Sequence, residues 1–561
     1  AEPPVVAVAE DGSVVVPLLG GHRGANRLAR QIAELLEAKA AVTTAGDIAL
    51  GVALDEPPPG WRLANPEDAK GVMAALLNGA RARVEGELPE PLWMALFARL
   101  THGGPASARG EAVSLVSTIE PVPSSAGRLV FHPQVFALGV GCARNCPPAE
   151  LADLVDRGFS DAGIAGGAVA GVFSLDLKAD EPAVNALARR LGVPLRLFDA
   201  ATLEAEAPRL PNPSEVVFAE VGCHGVAEGA ALAGAGAEGV LAVAKRKSAN
   251  ATVALARAPA PIVDLPGRAR GRVSLVGIGP GQAEWRTPEA SRLVAEADEL
   301  VGYGLYIDLL GPLAAGKPRR DFPLGGEEDR CRYALERAGE GHDVALICSG
   351  DAGIYAMGAL VFELLDRAPG KGGVSDAARR VEVISAPGVS ALQAAAARAG
   401  APLGHDFCAI SLSDLLTPRE DILRRIRAAA EGDFVIAFYN PVSMRRRTLL
   451  AEAREILLAH RPADCPVLLA SSLGRPEEKI AYRRLADLAV DEVDMLTVVL
   501  VGSSQSRLAA LGEGPRMYTP RGYAKRIDGV AGAAPPPCPS PQGGEGTPAP
   551  AAAQSAKQRG A

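Results

Sequence analysis

Ser349-Gly350-Asp351-Ala352-Gly353 carries more chemistry per residue than any other stretch of this 561-residue chain. The apolar run from Asp343 to Cys348 before it has the composition of a buried strand, and Ile354 to Leu365 after it has amphipathic helical spacing. A strand, a small-residue turn and a helix place free backbone groups at the end of a parallel sheet, where α/β folds bind ligands. The turn has one carboxylate and no basic residue. It matches neither Gly-x-Gly-x-x-Gly nor a turn ending in Gly-Lys-Ser/Thr, so a phosphate group is not expected there. An uncharged or cationic ligand suits it better. Two further turns follow apolar runs: Gly277-Ile278-Gly279-Pro280-Gly281, and Pro387-Gly388-Val389-Ser390-Ala391.

The N-terminal half holds a different set. Gly20-Gly21-His22-Arg23-Gly24-Ala25-Asn26 opens a predicted helix. Its free N–H groups, with Arg23 beside them, would receive an anion such as a carboxylate through Gly21, His22, Arg23 and Asn26. Cys223-His224, with Glu220 and Glu228 nearby, has the residue types for nucleophilic hydrolysis. Read as an extended segment after a strand, the pair points to opposite faces, so His224 is expected to contact substrate rather than assist Cys223. Cys142-x-x-x-Cys146 with His224 is a weak metal combination, because no second pair has zinc-like spacing. No metal is expected.

The elements that must hold these residues alternate in the C-terminal half. Strands are predicted near 273–278, 344–348, 381–385, 408–412, 433–438, 466–471 and 496–501. Helices are predicted near 288–299, 327–340, 354–367, 389–399, 419–430, 446–460 and 504–511. Such alternation predicts parallel or mixed sheets with helices on both faces. In the N-terminal half, a strand near Val14 precedes the glycine turn, and Leu63 to Leu77 reads as an N-capped helix.

The three C-terminal turns together resemble the tetrapyrrole methylase family. Pro402-Leu-Gly-His405-Asp406-Phe-Cys-Ala-Ile-Ser411-Leu-Ser413-Asp414-Leu-Leu-Thr417-Pro418 narrows the resemblance to the branch that methylates C-17 of precorrin-3B. So do Phe438-Tyr439-Asn440-Pro441, Arg445 to Arg447, and Tyr518-Thr-Pro520-Arg521-Gly-Tyr523. The resemblance implies an S-adenosylmethionine enzyme of cobalamin biosynthesis built from two α/β/α lobes, with the cofactor in the cleft between them. It implies cofactor contacts at Gly279, Pro280, Gly350, Asp351, Ala352, Ile354, Tyr355, Met357, Ser390, Ala391, Tyr439 and Asn440. Gln282 stands where the family often has Asp or Ser. The ring contraction coupled to this methylation needs proton transfers, for which His405 and Asp406 are the candidates by residue type. The substrate is rich in carboxylates, so Arg445 and Arg446 are expected to bind it. The segments from Val14 to Arg257, including Phe136 to Arg144 and Glu220 to Leu232, resemble cobalt-precorrin-5A hydrolase. That resemblance implies lactone opening with release of a two-carbon aldehyde, or a module that only binds a tetrapyrrole. It also implies that residues precede Ala1.

Length predicts several domains of α/β class. They are expected at 1–55, 56–125 and 134–258 for the hydrolase-like half, 272–523 for the methylase, with a linker at 259–271 and a disordered tail at 524–561. Composition breaks at 102–133 and 257–271, rich in Gly, Ser or Pro, guide these boundaries. The net charge of −8 argues against a general nucleic-acid binder, and no apolar run has the length and purity of a membrane span. The eight cysteines read as reduced thiols. A cytoplasmic enzyme is expected, homodimeric through the methylase part.

Overall fold

Along Asp343–Cys348 the side chains of Val344, Leu346 and Cys348 enter one apolar cluster, and those of Ala345 and Ile347 enter another. A strand buried on both faces in this way must be central in a layered α/β sheet. The computed structural model describes residues 4–21, 24–42, 54–87, 113–443 and 447–523. The chain divides into two compact units, Ala1–Ser390 and Ala391–Ala561.

In the first unit, the sheet around Asp343–Cys348 has five strands, all parallel. Their order is Arg319–Phe322, Glu299–Tyr303, Asp343–Cys348, Arg272–Gly277, Glu382–Ala386. Helices Glu327–Gly339 and Gly358–Asp366 bury Leu335, Ala338, Val361 and Leu364 against one face. Pro288–Glu296 covers the other with Ala290, Leu293 and Val294. Three adjacent strands, Asp343–Cys348, Arg272–Gly277 and Glu382–Ala386, therefore end side by side.

Three smaller sheets precede it. Val5–Val8, Val14–Leu19 and Lys39–Ala40 pack with helix Ala25–Leu35. Trp61–Leu63, Arg128–Pro133, Val113–Ser117 and Ala82–Glu85 form a four-stranded sheet under helix Ala69–Leu77. The composition break expected across 102–133 thus contains two strands of this sheet in its described part. The third sheet runs Leu195–Phe198, Val169–Leu175, Phe136–Cys142, Ala251–Arg257, Val240–Lys247. Helices Pro148–Ala162 and Pro182–Leu191 cover one side, and Val226–Ala235 the other.

The second unit has a mixed five-stranded sheet: Phe407–Ser411, Val435–Tyr439, Thr497–Val501, Pro466–Ser471, Lys479–Arg484. Helices Arg419–Glu431 and Thr448–Leu458 pack on one face, burying Ile426, Leu450 and Leu457 against Phe438, Leu469 and Val499. Helix Ala391–Ala399 lies against the central strands.

Two expectations need correction. Residues 504–511 were expected as a helix, but Arg507–Leu511 is a strand paired antiparallel with Gly514–Tyr518 across the two-residue turn Gly512-Glu513. A hairpin partner outweighs the helical propensity of Leu and Ala here. The helix expected to begin at Ile354 begins at Gly358, which leaves 351–357 as an extended turn. No helix among the described residues is long and apolar enough to cross a membrane. One bent pair, Glu215–Val221 with Val226–Ala235, reaches that length only jointly, at 79°.

Candidate functional site

The ends of the three adjacent parallel strands converge on backbone. Gly279 N–H donates to Gly350 O (3.1 Å) and Gly350 N–H donates back to Gly279 O (2.8 Å), a bridge between the first and second glycine turns. Gly388 of the third turn lies against both. A Cβ there would stand 2.0 Å from Gly350 O and 2.8 Å from the Gly277 carbonyl carbon, far inside contact distance. No other residue type fits at 388 without displacing its neighbours. Gly350 needs its glycine for a second reason: its φ is 68°, in the left-handed region.

Asp351 bonds within the chain on both of its oxygens. Its Oδ1 accepts from Gly353 N–H (2.8 Å), closing its own turn, and its Oδ2 accepts from Gly388 N–H (3.1 Å). The carboxylate is a brace between two turns. Ala352 and Met357, expected at the cofactor, belong to the apolar core. Met357 Sδ is also contacted by the guanidinium of Arg330 (3.2 Å), a buried cation that donates to Pro323 O as well (3.0 Å). Ile354 and Tyr355 are exposed, and Tyr355 has φ 51°, a conformation rarely adopted by an aromatic residue. Pro280 and Ser390 are buried, and Ala391 opens its helix. The turn can therefore offer a ligand backbone groups, the exposed Ile354 and Tyr355, and whatever capacity Asp351 keeps.

In the second unit, Asn440 follows the end of its strand with φ 50°, and its Nδ2 donates to Ser411 Oγ (3.1 Å) at the end of the neighbouring parallel strand. Ser472 takes the same left-handed conformation (φ 51°) after Pro466–Ser471, which runs in the same direction. The Tyr439 hydroxyl accepts from Leu392 N–H (2.9 Å) and so caps helix Ala391–Ala399. His405 and Asp406 stand at the opposite end of Phe407–Ser411, about 17 Å away at ~3.3 Å per residue. They do not form one constellation with Tyr439 and Asn440. His405 Nδ1 accepts from Asp406 N–H (2.9 Å), which leaves its Nε2 as the outward group on a side chain 56% exposed.

In the first unit, the turn expected to capture an anion already has one. Gly24 N–H donates to Glu56 Oε1 (2.5 Å) at the start of helix Ala25–Leu35, and Asn26 is buried. Gly21 lies just before, whereas His22 and Arg23, like Arg445 and Arg446, fall outside the described residues, as does the tail 524–561. Cys223 and His224 do not follow a strand. They sit in a turn between helices Glu215–Val221 and Val226–Ala235. Cys223 is fully buried, which pushes its thiol up, so a thiolate nucleophile is disfavoured. His224 instead meets Glu204, a partner twenty residues upstream for which the sequence carries no signal. No group of three or more His, Cys, Asp or Glu among the described residues is arranged to hold a metal.

A five-stranded parallel sheet with three glycine turns braced at one end is a ligand-binding α/β lobe, and comparison with known proteins specifies which kind. Residues 272–489 match the family of tetrapyrrole (corrin/porphyrin) methylases. Residues 1–47 and 136–256 match the N-terminal and C-terminal families of cobalamin synthesis G. A precorrin-3B C(17)-methyltransferase from Sinorhizobium sp is 45% identical over 255 residues, 45% of this chain and 98% of the relative. A probable cobalt-factor III C(17)-methyltransferase from Salmonella typhimurium is 44% identical over 251 residues, 45% of this chain and 99% of the relative. Against the cobalamin biosynthesis protein CobIJ of Mycobacterium tuberculosis, identity is 40% over 268 residues, 46% of this chain and about half of the relative, 51%. The crystal structure of the methyltransferase CobJ aligns with 41% identity over 45% of this chain and all of that one, at a TM-score of 0.41. The chain belongs to the tetrapyrrole methylase family, with cobalamin synthesis G domains fused ahead of the methylase.

Proposed function

We propose that residues 272–523 bind S-adenosylmethionine at the three glycine turns and methylate C-17 of precorrin-3B, or of its cobalt-loaded counterpart, with contraction of the macrocycle. The observation that carries this reading is the mutual contact of Gly277, Gly350 and Gly388 at the ends of adjacent parallel strands. It supports a cradle in which a ligand can approach bare backbone. S-adenosylmethionine, when bound, supplies an electrophilic methyl group on a sulfonium. The protein's part is placement, because in-line transfer depends on holding the reactants aligned. Gly350 and Gly388 keep the cradle open, Asp351 fixes the turns against each other, and Ile354 and Tyr355 offer exposed surface.

Ring contraction turns a hydroxyl into a carbonyl, so a proton must leave the substrate. His405 is our candidate in the accompanying proton transfers: it is exposed, and with Nδ1 accepting from Asp406 N–H its neutral ring presents Nε2–H outward as a donor. Arg445 and Arg446 would meet substrate carboxylates. For the N-terminal half we infer a hydrolase-like module that acts on a tetrapyrrole, in keeping with its cobalamin synthesis G domains. We place its parts at 1–55, 56–125 and 134–258, and take the protein to act as a homodimer through the methylase.

The test uses the full chain. Incubation with S-adenosylmethionine and either precorrin-3B or the cobalt-loaded ring, followed by mass analysis, should show gain of one methyl group on one of them. Absence of methyl gain on both, with the protein folded, refutes the reading.

A further inference from the structure

Helix Glu215–Val221 buries none of its residues. Its Phe218 is 42% exposed, a large apolar side chain open to solvent. The Phe218 ring stacks on the imidazole of His224, with centroids 4.4 Å apart and planes at 24°. That imidazole is clamped from behind. Its Nδ1 lies 2.8 and 2.9 Å from Glu204 Oε1 and Oε2, and the His224 backbone N–H donates to the same carboxylate (2.9 Å). An ionised carboxylate only accepts, so the proton of neutral His224 sits on Nδ1 and the lone pair on Nε2. Nε2 faces Glu215 Oε1 at 3.5 Å, on a side chain 89% exposed and able to swing aside.

A second feature stands beside it. Glu228, in the first turn of the next helix, is 1% exposed. Its Oε1 accepts from Asn212 Nδ2 and Lys245 N–H, both at 2.8 Å, while Oε2 is buried without a hydrogen-bond partner among the described residues. Lys245 Nζ reaches Asn212 O (2.8 Å), so an exposed cation flanks the same turn.

We propose that His224 is the general base of a hydrolytic site in the N-terminal half, opening a lactone on a tetrapyrrole seated against Phe218. This rests on the reading above that this half acts on a tetrapyrrole. An apolar ring suits the exposed Phe218, and a rim carboxylate suits Lys245. In the step, water oxygen bonds to the lactone carbonyl carbon as one water proton passes to His224 Nε2. The acyl C–O bond then breaks, and the departing alkoxide takes the proton back. The products are a carboxylic acid and a hydroxyl group on the same macrocycle, with no covalent enzyme intermediate. Glu204 is a positioning residue: it fixes the ring and favours the imidazolium that forms.

The experiment uses the full chain and a lactone-bearing cobalt-corrinoid, following gain of the elements of water by mass. His224→Ala should slow opening by at least about 100-fold, and added imidazole should restore part of it. His224→Gln, which keeps a flat side chain against Phe218, should be equally slow with substrate binding retained by absorbance titration. In Glu204→Gln the acid limb of the rate profile should move to lower pH. Phe218→Ala should raise KM more than it lowers kcat. A wild-type chain that opens the lactone, with His224→Gln as fast, overturns the role of His224 alone. A wild-type chain that binds but never opens it overturns the hydrolase reading as well. Loss of opening in Cys223→Ser with normal folding and binding would assign the chemistry to the thiol and refute the proposal.

Discussion

Gly388→Ala should disable cofactor binding without touching a cofactor contact of its own. A Cβ at 388 begins 2.0 Å from Gly350 O. Ordinary contact starts near 3.4 Å, so the two turns must separate by about 1 Å or more. That movement breaks the paired bonds between Gly279 and Gly350, now 2.8 and 3.1 Å, and the Asp351 bond to Gly388 at 3.1 Å. Three hydrogen bonds at about 1 kcal/mol each, plus overpacking of about 1–3 kcal/mol, give a local cost of about 4–6 kcal/mol. The chain has several domains, so a single unfolding free energy is not defined. Local opening is the proper measure. Hydrogen exchange should show the Gly279 and Gly350 amides losing protection, while Val172 and Leu138 in the distant sheet keep theirs. Calorimetry should show S-adenosylmethionine affinity falling at least tenfold. Gly370→Ala is the control, since no atom lies within 4 Å of its Cβ, and it should change local stability by less than about 0.5 kcal/mol. Unchanged exchange at Gly350 together with unchanged affinity in Gly388→Ala would show that the turns are not a packed cradle.

Asp351→Ala should remove both braces and weaken S-adenosylmethionine binding more than Asp351→Asn, which keeps one acceptor; equal affinities in the two variants would deny the brace. His405→Ala should leave cofactor affinity intact and lower tetrapyrrole turnover at least tenfold, and full turnover at saturating substrate would assign His405 to structure. The Glu204–His224 pair should stabilise its turn over a defined pH window. Glu204 is held below its ordinary value by the bond from His224, and His224 above its own by Glu204 first and Glu215 second. The histidine part is complete below about 6.5 and is lost as pH rises through the raised value; the carboxylate part is complete above about 4.5 and is lost as pH falls. Proton NMR of His224 should show its titration moving down in Glu204→Gln, and an unmoved titration refutes the pair.

The parallel sheet is legible in the sequence where its strands are central. Arg272–Gly277 and Asp343–Cys348 are rich in apolar residues at both odd and even positions because helices bury both faces. Arg319–Phe322 escapes such reading, since an edge strand needs no apolar run and this one uses Arg319 to pair with Asp308 and Asp321. The helix start at Gly358 escapes it too. Ile354 to Met357 fit the periodicity, yet left-handed Tyr355 prevents a helix from forming until the turn is complete. Glycine spacing marks where ligands can approach, but it does not report which polar groups arrive from elsewhere. Glu56 reaches Gly24 from 32 residues away, and Glu204 reaches His224 from 20. Asp351 and the Gly20–Asn26 turn, both expected at ligands, each have an internal partner that the sequence does not announce.

The segment 257–271 shows the same limit in a form that bears on function. Its prolines and alanines carry no periodicity, which reads as a linker, but missing periodicity is not freedom to move. Arg268 exchanges two backbone bonds with Leu197 in the third sheet (2.8 and 2.9 Å) and sends its guanidinium to Gly339 O beneath the methylase sheet (2.8 Å). Arg270 donates to Arg380 O and Val381 O (2.9 and 3.1 Å) just before Glu382–Ala386, the strand that leads to Gly388. Each of these guanidinium bonds runs to a backbone carbonyl, so both arginines tie the segment down. Arg268 thus links the third sheet, on which the helix after His224 packs, to the end of a helix that covers the methylase sheet.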